Sequence, residues 1–293
     1  MTAVLTSAAP LAVVTMVYNE ADMLKLWLRY YGGQVGLQNC FVIDHGSDDG
    51  STAAIAPANR LRIPRSPLEE GARARFVSGF CSSLLTWYGA VIYCDVDEML
   101  VADPARYAGL LDFAASTPHA VVTTFGLNVL HRLHHEVQLD AARAILPQRA
   151  WTFFMSSMCK PLLLRRPVVW HPGFHSADAA VVFDGLFNFH LSYVDLDMAW
   201  RRQAKRRASD YSSNEVAKHH RVGDAELFAW MENWSKYPPA DDVRLDTTCP
   251  HYTAAVQRIL ASDRTDGAPG YRIDLGTSGD RLLQIPERFR TAF

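Results

Sequence analysis

No stretch of this 293-residue sequence approaches the ~20 consecutive apolar residues that span a bilayer, so a transmembrane helix is excluded on length. The longest apolar runs, Leu11–Tyr18 and Ala90–Cys94, are strand-sized. Residues 1–10 lack a basic region followed by an apolar core, so no signal peptide is expected and they read as a disordered N-terminus. Net charge is scarce as well, at -2. A global basic field of the kind that draws nucleic acid is therefore missing, and no nucleic-acid partner is expected. Cysteine is sparse: Cys40, Cys81, Cys94, Cys159 and Cys249 are odd in number and nowhere spaced C-x-x-C. That excludes a disulfide framework and a cysteine zinc site, and leaves five small buried hydrophobes suited to a reducing cytoplasm. Internal repeats, low-complexity tracts and a clear linker are also absent.

What is present is a core. Hydrophobic residues make up 49% and charged residues 20%, the balance of a globular domain. The length accommodates one full α/β domain with a C-terminal elaboration. Leu11–Val17 is a continuous apolar run, as expected of a parallel strand covered on both faces. Met23, Leu24, Trp27, Leu28 and Tyr31 then follow at helical spacing, and Gly32-Gly33 is the expected stop. Cys40–Ile43 and Leu61–Ile63 read as strands, Glu70–Tyr88 as a long helix, and Ala90–Cys94 as a fourth strand. This rhythm implies a Rossmann-like, mostly parallel sheet flanked by helices. Further along, a helix is expected over Ala105–Ser116 and strands over Ala120–Phe125, Pro161–Leu164, Ala180–Phe183 and Leu186–Tyr193. Helices are expected over Asp197–Ser209 and Ala225–Trp234, with an irregular tail from Tyr237. The expected division is a ligand-binding half over residues 11–125, an acceptor-side half over 126–236, and a wrapping tail over 237–293.

Three polar clusters fall where parallel strands end: Tyr18-Asn19-Glu20, Asp44–Ser51 and Asp95-Val96-Asp97-Glu98. Ligands of doubly wound sheets bind beyond those carboxyl ends. Each cluster alone has a plain structural reading, as a helix N-terminus capped by Asn19, an Asx-rich turn, and a solvated acidic turn. Together they point to a site. Clustered carboxylates repel unless cations compensate them, and oxygen ligands suit Mg2+ or Mn2+ bridging to phosphates. Asp95 and Asp97 are therefore metal candidates, and Asp44 a hydrogen-bond acceptor for a base or ribose.

The segments Val13–Glu20, Phe41–Ser51, Gly71-Ala72-Arg73-Ala74-Arg75 and Ile92–Glu98 occur in the order and spacing of glycosyltransferase family 2, which the chain resembles over about its first third. The helix Trp27–Tyr31 and the ending Asp95-Val96-Asp97-Glu98 resemble its D-V-D-E branch, which includes bacterial polysaccharide transferases. The resemblance implies a GT-A fold and a nucleoside-diphosphate sugar donor, with UDP-sugars favoured. It also implies Mn2+ or Mg2+, inversion at the anomeric carbon, and a glycan or lipid-linked acceptor. By position, Tyr18, Asn19, Glu20, Asp44 and Arg75 line the nucleotide site, Asp95 touches ribose or metal, and Asp97 is the main metal ligand. The chain departs from the family at His45, where a second Asp is usual, and at Phe76, where Asn is usual. A further ligand from the C-terminal half is often His; His171, His175 and His190 are the candidates, with His175 and His190 preferred.

An inverting transferase also needs a base to take the acceptor proton. Glu98, Asp178 and Asp184 are the candidates. His131, His134 and His135 read as a polar helix face, and Trp151, Phe153 and Phe154 as core. Arg201-Arg202 and Lys205-Arg206-Arg207 read as a solvated basic face, with contact to an anionic acceptor or, peripherally, to the inner membrane face as its second reading. Two other functions fit the same motifs: a catalytically silent GT-A domain that binds carbohydrate or a protein partner, and a D-x-D phosphatase. The phosphatase fits poorly, because Glu98-Met99 stands where small residues are usual and the strand is the fourth.

Overall fold

The structure, a computed structural model, describes residues 10–213, 221–241, 244–262 and 276–293; residues 1–9 of the expected disordered stretch lie outside them. Strand β1 (Ala12–Val17), helix α1 (Ala21–Val35) and strand β2 (Cys40–Asp44) form one crossover unit. Strand β3 (Asn59–Arg62), helix α2 (Glu70–Leu84) and strand β4 (Val91–Tyr93) form a second. β1 pairs in parallel with both β2 and β4, and β2 pairs in parallel with β3. Successive β1 side chains enter opposite layers: Leu11, Val13 and Val17 pack with α1, Ala12 and Val14 with α2. That two-sided burial is why the run is apolar throughout rather than alternating.

Helix α1 continues through Gly32-Gly33, the expected stop, to Val35. A Cβ on Gly32 would meet Leu37 Cδ2 at 2.7 Å, so this glycine serves close packing. The turn out of the helix is made by Gly36 at φ 83°, a conformation that suits glycine.

The second half mixes directions. Strand β5 (Glu98–Ala102), helix α3 (Leu110–Ser116) and the ten-residue strand β6 (Val121–Leu130) are followed by β7 (Trp151–Phe154), β8 (Pro161–Leu164) and β9 (Phe183–His190). β8 lies antiparallel between β4 and β6 and so joins the halves into one sheet. β9 runs parallel to β6 and antiparallel to β5. The two strands expected over Ala180–Phe183 and Leu186–Tyr193 are this single strand. Helices α4 (Leu196–Ala208), α5 (Asp224–Ser235) and α6 (Pro250–Ala261), the edge strand β10 (Leu283–Gln284) and the short helix α7 (Glu287–Arg290) complete the order.

The sheet thus has a parallel nucleotide-type half flanked by helices on both faces, consistent with the GT-A expectation. The described part of the tail contains a helix, α6, and a short strand, β10, where its Pro, Asp and Gly content suggested irregular chain. α6 buries Tyr252, Ala255 and Ile259, and the Tyr252 ring stacks on Phe125 with centroids 4.4 Å apart. Among the described residues no helix is long and apolar enough to cross a membrane.

Candidate active site

β1 and β4 end side by side, and the chain leaves them at Tyr18 and Asp95. The turn Asp95-Val96-Asp97 leads straight into β5, so no helix follows for Asp97 or Glu98 to cap. Above these ends lies an open cavity of about 930 Å3. Its walls include Tyr18, Glu20, His45, Asp95, Asp97 and His190, drawn from all three polar strand ends and from the end of β9. His175 also lines it, with Nδ1 2.8 Å from the Ser157 carbonyl oxygen. Ala199, Arg202, Gln203 and Arg206 of helix α4 also line it.

The carboxylates here are answered by protein cations. Asp95 accepts from Arg73 through Oδ1 and from Lys160 Nζ at 3.0 Å through Oδ2. Lys160 also contacts Glu98 Oε1 at 2.8 Å. Asp97 Oδ2 receives Arg202 Nη1 at 2.6 Å and Ser192 Oγ at 2.6 Å, and lies 3.1 Å from His190 Nε2. Arg202 in turn holds Glu20, with Nε 3.1 Å from Oε2. Burial works against ionisation of Asp95, but Arg73 and Lys160 outweigh it and hold the carboxyl well below the usual range. Burial likewise opposes the charge on Asp97, and Arg202 and His190 overcome it. Lys160 is pushed above the ordinary amine value, since Asp95 and Glu98 outweigh its burial.

Several expected residues take other roles. Asp44 is fully buried and lines no part of the cavity. It ties Arg60 Nη2 at 2.6 Å, Thr52 Oγ1 at 2.8 Å and the Ser47 amide at 2.7 Å, and so anchors its loop. Burial opposes the charge on Asp44, yet the Ser47 amide and Arg60 bring it down to about 2. Asn19, at φ 54°, clamps the same loop: Nδ2 donates to Asp48 Oδ1 at 2.7 Å, and Oδ1 accepts from the Asp48 amide at 3.0 Å. It does not cap α1, whose N-cap is Glu20. Arg75 is 73% exposed and faces Glu69, away from the cavity. None of the three base candidates reaches the cavity. Glu98 is buried behind Lys160, Asp178 accepts from the Val169 amide, and Asp184 holds Thr117 and Arg106. His171 pairs with Ser176 outside the cavity, and the polar helix face expected over His131–His135 is a turn. Phe153 and Phe154 are core, as read.

Sequence reasoning passed over Arg73, Lys160, Arg202 and Arg206. A signal existed for the last two. Met198 and Ala199 are the buried apolar positions of α4, and Arg202 and Arg206 continue that face at four-residue steps. The basic run is therefore two faces: Arg201 lies 59% exposed, while Arg202 is buried. Arg73 and Arg75 sit about 200° apart on a helix of ~100° per residue, so only one can face the strand ends. Lys160 precedes an apolar strand and carried no signal.

The expected Mn2+ or Mg2+ fits this donor set poorly, because both Asp95 oxygens and Asp97 Oδ2 are already held by protein cations. Among the described residues no group of three or more His, Cys, Asp or Glu side chains is placed to hold a metal. A cation bound at Asp97 Oδ2 would have to displace Arg202, whose guanidinium is 8% exposed and would lose a buried partner.

No family profile matches the chain, and no curated protein matches it. Among solved structures it is similar to the mannosyltransferase PcManGT from Pyrobaculum calidifontis in complex with GDP-Man and Mn2+, at 16% identity and a TM-score of 0.28. The match covers 70% of this chain and 48% of that one, so the chain spans about half the length of that structure.

Proposed function

We propose that the chain is a glycosyltransferase, moving a sugar from a nucleoside-diphosphate donor to a hydroxyl of a glycan or related acceptor. One observation carries the reading. Side chains from Tyr18–Glu20, His45 and Asp95–Asp97, far apart in sequence, meet in one cavity at the carboxyl ends of parallel strands, where such sheets bind nucleotides. In the reaction the anomeric carbon–oxygen bond to the diphosphate breaks as the acceptor oxygen bonds to that carbon, with inversion. The acceptor proton leaves to a base, and the nucleoside diphosphate departs. Charge gathering on the departing diphosphate calls for fixed positive groups, and the cavity carries five, Arg65, Arg73, Lys160, Arg202 and Arg206, against the carboxylates of Glu20, Glu70, Asp95 and Asp97.

Tyr193, Trp230 and Trp234 line the same cavity, and Tyr193 meets Trp234 edge-on at 4.7 Å. Partly exposed aromatic faces of this kind suit the apolar faces of acceptor sugars. The phosphatase reading loses ground, because a nucleophilic Asp95 would need an oxygen that Arg73 and Lys160 now hold.

Thermal-shift screening of UDP-, GDP- and dTDP-sugars, with UDP-sugars first, tests the donor class, because a ligand of the native state raises its apparent stability. At least one donor is expected to raise the melting temperature and to be turned over with a sugar acceptor. A donor that binds but is never transferred to any acceptor, nor hydrolysed, would favour the silent binding domain. No shift with any nucleotide would sink the reading.

A further inference from the structure

We propose that this cavity grips a diphosphate with protein cations alone, Arg206 and Arg65 supplying the positive charge that a divalent ion would otherwise bring. The inference rests on the nucleotide-sugar reading for the identity of the ligand, but its geometry stands separately.

The cations divide into two groups. Arg73, Lys160 and Arg202 are committed: each is mostly buried and each holds a carboxylate at close range. Together they discharge Asp95 and Asp97, the residues a metal would need. Arg206 and Arg65 are not committed in this way. The Arg206 side chain is 24% exposed, and among the described residues its one carboxylate contact is Asp97 Oδ2 at 3.9 Å, an oxygen already taken by Arg202 at 2.6 Å. Among the described residues the Arg206 guanidinium makes no hydrogen bond. Arg65 has no carboxylate partner among the described residues. Its guanidinium lies over the Tyr18 ring at 3.8 Å, with Nη1 3.2 Å from His45 Nδ1. Both arginines line the cavity, as does Tyr211. Two under-compensated guanidinium groups on one open cavity match a phosphate pair, because the planar fork donates two parallel bonds to phosphate oxygens.

The test is calorimetry on the full chain with UDP, GDP, dTDP and inorganic pyrophosphate, each in EDTA and in MnCl2. Binding in EDTA is expected within about twofold of that in Mn2+. Arg206→Gln is expected to weaken it by about tenfold or more, the loss of one or two charge-assisted hydrogen bonds. Arg65→Gln should act in the same direction. Arg201→Gln, on the exposed side of the same helix, is expected to bind as the unaltered chain does. Asp97→Asn, checked for folding by circular dichroism, should still bind in EDTA, whereas a metal-bridged site would lose its ligand. Nucleoside-diphosphate binding only in Mn2+ overturns the inference and leaves the donor reading standing. Pyrophosphate bound in EDTA without any nucleotide supports the inference and removes the donor reading. No binding of any probe in either buffer overturns both.

Discussion

At the scale of single residues, the site is a problem in charge compensation. Asp44, Asp95 and Asp97 are acids whose folded values lie below the ordinary ~3.9 of an unfolded aspartate. A depressed acid stabilises the native state at every pH above its unfolded value. That contribution drains as pH falls through the folded value, because the unfolded chain takes up protons first. Stability measured as the urea midpoint is therefore expected to be flat above about pH 5 and to fall steeply between about pH 4 and pH 2, the span from an unfolded aspartate to Asp44. Asp44→Asn should lower the plateau and make the descent shallower. A descent of the same steepness in the variant would argue against Asp44 as a source of it. Depression also bears on catalysis. A carboxylate held this far down is a weak proton acceptor, so Asp97 suits anchoring α4 better than serving as base.

At the scale of elements, β6 does the joining. All ten of its residues are buried, and it contacts β7, β8 and β9 along its length. Gly126 sits where the turn Ser156–Met158 crosses it: a Cβ there would meet Met158 Cβ at 2.5 Å and the Met155 carbonyl oxygen at 2.7 Å. Those are backbone-proximal atoms that cannot swing aside. Gly126→Ala is expected to destabilise the chain by about 1–3 kcal/mol, the range for overpacking a closed core. Chemical denaturation checks this, and a neutral substitution would mean that the crossing turn is free to shift. The same turn places Ser157 and Met158 on the cavity wall and holds Lys160 beside it, so strain at Gly126 should reach the Asp95 cluster. Helix α4 is fixed at its start by Asp195, which accepts from the Asp197 and Met198 amides. The buried side of that helix, Met198 and Ala199 with Arg202, turns the arginine inward.

At the scale of the whole molecule, charge is distributed unevenly. The chain carries a net -2, yet its cavity is rich in guanidinium groups. Attraction for an anion is therefore local and exposed to mobile ions at the cavity mouth. Diphosphate affinity is expected to fall several-fold between about 0.05 and 0.5 M NaCl, as the screening length shrinks from roughly 10 Å at 0.1 M toward about 3 Å at 1 M. Calorimetry across that range decides it, and an affinity indifferent to salt would argue against a site held by charge.

The sequence by itself determined the βαβ half of the molecule. Its short-range patterns suffice for that: apolar runs of strand length, helical spacing at Met23–Tyr31, and polar residues at each strand end. It also brought Asp95 and Asp97 to the cavity, because a residue at a strand end has only one place to go. Helix α6 was hidden by the Pro, Asp and Gly residues around it, although Tyr252, Ala255 and Ile259 are spaced for a buried face. Only the tertiary structure decided the partners. Lys160 follows Asp95 by 65 residues and Arg202 follows Asp97 by 105, and no local pattern reports which distant cation will neutralise an acid. Nor could sequence choose between Arg73 and Arg75, which flank the buried stripe of α2 on opposite sides. The packing of that helix on the sheet turns the first toward Asp95 and the second toward solvent.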